Sequence, residues 1–341
     1  MTGTAGIGTA VADDLPQLTK EGVEDARRRL AERLVTTPVV RCEALDGLAG
    51  TRLWLKAENL QLGGSFKMRG ALLAVARLAG DGSRGVVAQS TGNHAIAVAR
   101  AAREYGLPAV LVLPVDAAPT KIAAIRAAGA EVVLAGTALA ERTALVEQVR
   151  TARGFDLIDP YLDPDVVAGQ GSATAELIRQ ARAEGTALDA VVVPVGGGSA
   201  VAGACLAARG HGIRVIAAEP LAVPALGAAL RAGRPVTVPV GTTIADGLRP
   251  DRISTLAFEL ARDEVAQVVT VPEAAIAEAL CLALVHARLL VEPAAATALA
   301  AALRLPAPRP AAVGVLLSGG NVEPGLVASL LAGHLQGEES R

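Results

Sequence analysis

Of the chain's 32 basic side chains only four are lysines: Lys20, Lys56, Lys67 and Lys121. Arginine stays protonated, whereas a lysine in a low-dielectric pocket can shed its proton and act as nucleophile or base. Lys20 and Lys121 stand at the starts of predicted helices among polar residues and read as solvated surface charge, while Lys56 ends a strand and reads as an edge lysine. Lys67 differs. The Gly63-Gly64-Ser65 turn delivers Phe66-Lys67 straight to a helix start, where the positive end of the dipole favours the neutral amine. Taken alone, the position fits equally a loop lysine that caps a turn. A second feature is Val195-Gly196-Gly197-Gly198-Ser199, which follows an apolar strand and opens an alanine-rich helix. Converging backbone N–H groups and a helix N-terminus make an anion cradle. Val201 stands where the third glycine of G-x-G-x-x-G belongs, and the chain has no Gly-Lys pair, so neither a dinucleotide nor ATP is favoured. The loop reads as a site for one phosphate, with a bare tight turn as the competing reading. Two more polar loops follow strands: Ser90-Thr91-Gly92-Asn93-His94 and Ser318-Gly319-Gly320-Asn321. At the carboxyl ends of strands in an open α/β sheet, such loops face the ligand crevice. For His94 by itself, packing at a helix start is the simpler role.

The elements that must position these loops alternate along the chain. Strands are expected over 51–56, 85–89, 109–113, 130–134, 190–195, 213–218, 266–270 and 312–317. Helices are expected near 68–79, 94–105, 119–128, 138–152, 172–184, 199–209, 223–232, 273–289 and 294–304. Runs such as Ala190–Val195 are apolar on both faces, as in parallel sheets covered by helices on each side. The fold class is therefore α/β with doubly wound open sheets, a small domain inserted in a larger one. The expected boundaries are a flexible tail over 1–15, a large domain over 16–86 and 158–335, and a small domain over 87–157 that carries the Ser90–His94 loop.

Composition narrows the partners. The chain has 341 residues, is 52% apolar and 19% charged, and carries a net charge of -2, so it can bury a large core and has no basic field for phosphate backbones. Aromatics at 2% also remove the stacking platforms of single-strand binders, so no nucleic-acid partner is expected. The mean hydropathy of +0.42 comes mainly from alanine and valine. The most apolar C-terminal stretch, 279–303, is cut by His286, Arg288 and Glu292, so no membrane partner is expected either. The first 14 residues lack a basic start followed by an apolar run, which points to a cytoplasmic protein. Cys42, Cys205 and Cys281 have no metal-ligand spacing.

Six segments together resemble the fold-type II (tryptophan synthase β-like) pyridoxal-phosphate enzymes, in the threonine/serine dehydratase and serine racemase branch. They are Gly64-Ser65-Phe66-Lys67-Met68-Arg69-Gly70, Ser90–His94, the glycine cradle, Gly169-Gln170-Gly171, Glu292-Pro293 and Ser318–Asn321. The resemblance implies that the large domain binds pyridoxal 5'-phosphate, held by Lys67 as a Schiff base with Phe66 against the ring. It implies that Gly196, Gly197, Gly198 and Ser199 take the phosphate, that Asn93 bonds the ring hydroxyl and that Ser318 bonds the pyridine nitrogen. Ser65, Ser90, Thr91, Gly92, Asn93 and His94 would hold the substrate carboxylate, with Lys67 and Thr91 as the catalytic pair. The implied activity is elimination of water from L-threonine or L-serine, giving a 2-oxo acid and ammonia. The implied assembly is a homodimer.

Departures from the family pattern sharpen the expectation. Gly63 stands where relatives often carry threonine, which would loosen the loop before Lys67. Ser199 replaces a glycine and offers a further hydroxyl. Glu219 resembles one carboxylate of a divalent-cation site whose second acidic position is Ala225 here, so no metal is expected. Thr91 keeps the hydroxyl that racemases use as a second base but adds a methyl, which puts dehydration first and racemisation second. The alternatives are serine racemase or 3-hydroxyaspartate dehydratase, then a β-replacement synthase or a non-catalytic cofactor-binding protein. The chain ends about 20 residues past Asn321, so an appended regulatory domain is not expected.

Overall fold

A computed structural model of the chain describes residues 18–90, 92–137 and 139–339; Thr91 and the expected 1–15 tail lie outside the described residues. In chain order the elements are α1 (Lys20–Leu30), β1 (Val39–Val40), α2 (Glu43–Ala49), β2 (Arg52–Ala57), α3 (Lys67–Gly80), β3 (Val86–Gln89), α4 (Asn93–Glu104) and β4 (Ala109–Pro114). There follow α5 (Pro119–Ala127), β5 (Glu131–Ala135), α6 (Leu139–Arg153), β6 (Asp156–Leu157), α7 (Pro164–Ala183), β7 (Ala190–Pro194), α8 (Ser199–Ala208) and β8 (Arg214–Pro220). The chain closes with α9 (Ala225–Ala232), α10 (Thr255–Ala261), β9 (Val265–Val271), α11 (Glu273–Ala287), α12 (Pro293–Ala302), β10 (Ala312–Leu317) and α13 (Pro324–Glu339).

Two sheets result, one of six strands in the order β1-β2-β10-β7-β8-β9 and one of four in the order β5-β4-β3-β6. Every pairing is parallel except that of β1 with β2. Strand residues of the larger sheet alternate between two cores. Trp54, Val191, Val193 and Leu316 face one, while Leu55, Val192, Ile216 and Val315 face the other. Both faces are therefore covered, which explains the unbroken apolar runs. In α8 and α12 every residue is buried, so the alanine-rich composition reflects helices enclosed on all sides. Among the described residues no helix is long and apolar enough to cross a membrane.

The main departure from the expected elements is α7, which begins at Pro164, eight residues early. Asp163 accepts N–H bonds from Asp165 and Val166 at 2.9 and 3.3 Å, and Pro164 fills the first helical position. The glycines of Gly169-Gln170-Gly171 lie inside this helix: a Cβ on Gly169 would stand 2.5 Å from the Cα of Gly70. Gly169 lets α7 approach α3, and Gly171 lets it approach Gly203 of α8. The two-residue strands β1 and β6 and the helices α1, α2, α10 and α13 also lay outside the expected set.

Candidate active site

Lys67 is the first residue of α3, and the loop before it is pinned to the end of β10. The Phe66 N–H donates to the Ser318 carbonyl at 3.0 Å, Ser65 bridges to Gly319, and Asn321 Nδ2 donates to the Gly63 carbonyl at 2.8 Å. Gly63 has φ of 75°, a left-handed conformation that disfavours a β-branched residue. Glycine here serves a tied-down turn and does not loosen the loop.

Arg69 anchors the same helix from behind. Residues 67 and 69 lie about 200° apart around the axis, so Lys67 faces the cleft while Arg69 faces the core. Arg69 is fully buried and donates to Glu58 at 2.7 and 2.8 Å and to both oxygens of Glu176 at 2.8 Å. Lys56 joins the cluster, donating to Glu176 and Gln180 at 2.8 Å and to the Thr37 carbonyl at 2.7 Å. It is 0% exposed on a strand that lies between two others, which corrects the edge-lysine reading.

The cleft opens at the carboxyl ends of strands from both sheets. Phe66, Lys67, Ser90, Asn93, His94, the Gly196–Ser199 loop and Ser318 line it together. Lys67 Nζ donates to Ser199 Oγ at 3.1 Å and sits 5.0 Å and 5.3 Å from the ring centroids of Phe66 and Tyr161. Burial pushes the Lys67 amine down to about 8, against the opposing pull of Asp159 and Glu292. Burial, helped by the charge of Lys67, takes His94 down to about 3, so its imidazole is neutral. Its Nε2 lies 3.2 Å from the Ile158 carbonyl. Asn93 donates to Glu292 Oε1 at 2.6 Å and accepts from Asn321 Nδ2 at 3.0 Å. Ser65 is buried beside Gly319, and the Ser90 hydroxyl accepts the Gly92 N–H at 3.0 Å. The catalytic expectation for Thr91 falls outside the described residues.

Three cleft residues escaped the reading of the sequence. Glu292, noticed in the sequence as part of a Glu-Pro pair and as a break in an apolar stretch, is buried with its carboxyl pushed up to about 7. Tyr161 packs its ring over the cradle, its phenol pushed up to about 12 by burial. Lys121 corrects the surface-charge reading: it is 5% exposed, its stem crosses Gly92, and its amine donates to Asp246 at 2.5 Å. Only their rarity among the lysines and aromatics, or a position beside a noticed motif, marked them.

The residues present fit a pyridoxal phosphate. No backbone carbonyl among the described residues takes the N–H groups of Gly197, Gly198 or Ser199, which leaves an anion cradle at the start of α8. The close approach there needs glycine. A Cβ on Gly197 would stand 2.5 Å from the Tyr161 ring, and one on Gly198, at φ of 105°, would strike Ile253 and Ala257. Ser65 Oγ, His94 Nδ1 and Glu292 Oε2 are buried polar atoms without a partner, as groups awaiting a ligand would be. Glu219 offers no comparable vacancy for a cation, since its oxygens accept the Leu226 and Gly227 N–H groups at 2.6 and 3.0 Å.

Comparison with known proteins agrees with that fit. The family described as pyridoxal-phosphate dependent enzyme matches residues 31–319. A serine racemase of Arabidopsis thaliana is 38% identical over 89% of this chain and 93% of its own length. The L-threo-3-hydroxyaspartate ammonia-lyase of Saccharomyces cerevisiae is 35% identical over 92% of this chain and 97% of its own. A solved threonine deaminase from T.th. superposes with a TM-score of 0.85 at 40% identity, covering 89% of this chain and 99% of that one. The chain belongs to the pyridoxal-phosphate dependent enzyme family.

Proposed function

We propose that this enzyme is an ammonia-lyase that removes water from a β-hydroxy amino acid, L-threonine or L-serine, to give a 2-oxo acid and ammonia. The observation that carries the reading is the Lys67 amine, lowered to about 8 and held 3.1 Å from Ser199 at the mouth of the phosphate cradle. When bound, pyridoxal 5'-phosphate supplies an electron sink for the pair left on the α-carbon. Lys67 is the residue that would hold it, with Phe66 against its ring. Gly196, Gly197, Gly198 and Ser199 would receive its phosphate, Asn93 would bond its ring hydroxyl and Ser318 its pyridine nitrogen. The lowered amine of Lys67, once free, takes the α-proton. Ser65, Ser90, Gly92, Asn93 and neutral His94 orient the substrate carboxylate through hydroxyl, amide and backbone donors, and Thr91 is assigned to the same loop. Ser318, a neutral partner for the ring nitrogen, favours prompt elimination over transamination.

A second reading, 3-hydroxyaspartate as substrate, has an observation of its own. Lys121 is a buried cation lining the same cleft, and its partner Asp246 has a side chain 42% exposed. A second carboxylate on the substrate can take the place of Asp246 on that amine. Release of 2-oxo acid from L-serine, L-threonine and 3-hydroxyaspartate, measured separately with a Lys67→Ala control, decides between the two. Product from none of the three would sink both.

We also propose a homodimer in the cytoplasm. Leu60, in the 3-10 turn Glu58–Leu60, and Leu290 are 50% and 45% exposed on segments joined by the Asn59–Leu290 hydrogen bond, an apolar patch suited to a second copy. Three unpaired cysteines fit a reducing compartment. Light scattering tests the dimer: a monomer mass would refute it.

A further inference from the structure

Away from the cleft, α1, α7 and α8 enclose a groove of about 210 Å³ that no step of the proposed reaction uses. Its floor is apolar, made by Val23, Ala175, Ile178 and Ala207, all buried. Its rim carries three cations, Lys20 from α1 and Arg179 and Arg182 from α7, with His211 from the turn after α8 beside them. Among the described residues the charge is only weakly compensated. The one carboxylate in the groove, Glu24, is already gripped by Arg27 at 2.8–3.0 Å, and Arg179 reaches it only at 4.0 Å. Among the described residues neither Lys20 nor Arg182 has a carboxylate within 4.0 Å. Arg182 instead meets His211 Nδ1 at 2.8 Å, so the imidazole accepts from a guanidinium and stays neutral. Burial and the charges of Lys20 and Arg182 hold His211 below its ordinary value, consistent with that contact.

Arg182 stands in the last turn of α7, where the helix dipole favours a cation, but the nearby end carbonyls already have donors. The Ala181 carbonyl of α7 accepts the Thr186 N–H at 2.9 Å, and the Ala208 carbonyl of α8 accepts the His211 N–H at 3.0 Å. Among the described residues this is a local excess of cations in a chain whose net charge is -2. The groove is far larger than the roughly 10–15 Å³ of such space that one water needs, so it has room for a small organic ion.

We propose that the groove between α1, α7 and α8 binds a small organic dianion with aliphatic surface, the class that includes short dicarboxylates and phosphate esters. The anionic ends pair with Lys20 and Arg182, with Arg179 within reach, and the aliphatic portion covers Val23, Ile178 and Ala207. Bidentate guanidinium contacts suit carboxylate and phosphate alike.

The test is calorimetric titration of the cofactor-loaded enzyme with glutarate, glycerol 3-phosphate and inorganic phosphate, repeated on a Lys20→Gln/Arg182→Gln double variant. The cofactor absorbance is followed throughout, because a ligand entering the cleft disturbs it and one in the groove does not. Unchanged circular dichroism and melting temperature show that the variant is folded. The expected result is binding of glutarate or glycerol 3-phosphate with unchanged absorbance, weakened about tenfold or more in the variant. Whichever of the two binds more tightly identifies the source of the charge, and inorganic phosphate binds more weakly than either. Equal binding by the variant, binding only with a change in cofactor absorbance, or no binding of either organic ion overturns the proposal. Inorganic phosphate binding as tightly as the organic ions overturns the role of the apolar floor.

Discussion

Arg69→Met tests whether the buried ion cluster holds Lys67 in place. In the folded chain Arg69 makes four short bonds to two carboxylates, Glu58 and Glu176, whose side chains are 0% and 9% exposed. With Lys56 the cluster is two cations against two anions. Removing Arg69 leaves two buried carboxylates facing one amine. Breaking a buried pair in this way costs about 3–5 kcal/mol, because the stranded charge has no water to solvate it. That is a large share of the roughly 5–15 kcal/mol by which folded domains are stable. The assay is urea unfolding of the apoprotein, with retention of cofactor by the holoenzyme measured in parallel. The pH dependence supplies a second signature. Although burial alone raises the Glu176 carboxyl, Arg69 and Lys56 hold it below its ordinary value. The wild-type chain loses that contribution as pH falls through the lowered value, whereas the variant has already lost much of it. The deficit of Arg69→Met therefore shrinks towards acid pH. A destabilisation under about 1 kcal/mol, independent of pH, would refute the reasoning, since it would mean that the cluster exchanges with water.

Three further perturbations follow from the cleft. Lys67→Met should stabilise the apoprotein by up to about 3 kcal/mol at pH 7, since an amine that falls from 10.5 unfolded to about 8 folded opposes folding at all pH below that window; the gain should fade between pH 8 and 10.5, as seen by denaturant titration at several pH values. Glu292→Gln should remove a pH slope: a carboxyl raised from 4.5 to about 7 makes wild-type stability fall as pH rises across that interval, by up to about 3 kcal/mol, and thermal melts of the variant should lack that fall. Gly197→Ala should abolish cofactor retention, read from absorbance after gel filtration, because its Cβ would stand 2.5 Å from the Tyr161 ring beside the cradle.

The parts of this site legible in the sequence are those in which backbone chemistry dictates residue type. The Gly196–Gly198 loop must bring N–H groups together at a helix start, and a lysine required to lose its proton stood out among so many arginines. The parallel sheets were legible because strands covered on both faces are apolar throughout, as in Ala190–Pro194 and Ala312–Leu317. Residues brought in by tertiary crossing were not. Lys121 enters the cleft because α5 places its stem across Gly92, and its amine meets an aspartate 125 positions away. Lys56 looks like an edge residue in sequence, yet β10 lies alongside its strand and α7 supplies its partners. The expected helix began only at 172, after Gly169-Gln170-Gly171, because glycine is costly in a helix, but the close contact of α7 with α3 and α8 requires it. Glu292 shows its raised carboxyl only once its burial is known.

Lys67, among the four lysines, is assigned as the amine that carries the cofactor. Borohydride reduction of the cofactor-loaded enzyme, followed by peptide mass mapping, tests it most directly, because reduction fixes the cofactor to the lysine that holds it. The predicted result is one stoichiometric adduct on the peptide containing Lys67, with none on Lys20, Lys56 or Lys121. An adduct on Lys121, which lines the same cleft, or an unmodified Lys67 in enzyme that still releases 2-oxo acid, would contradict the account.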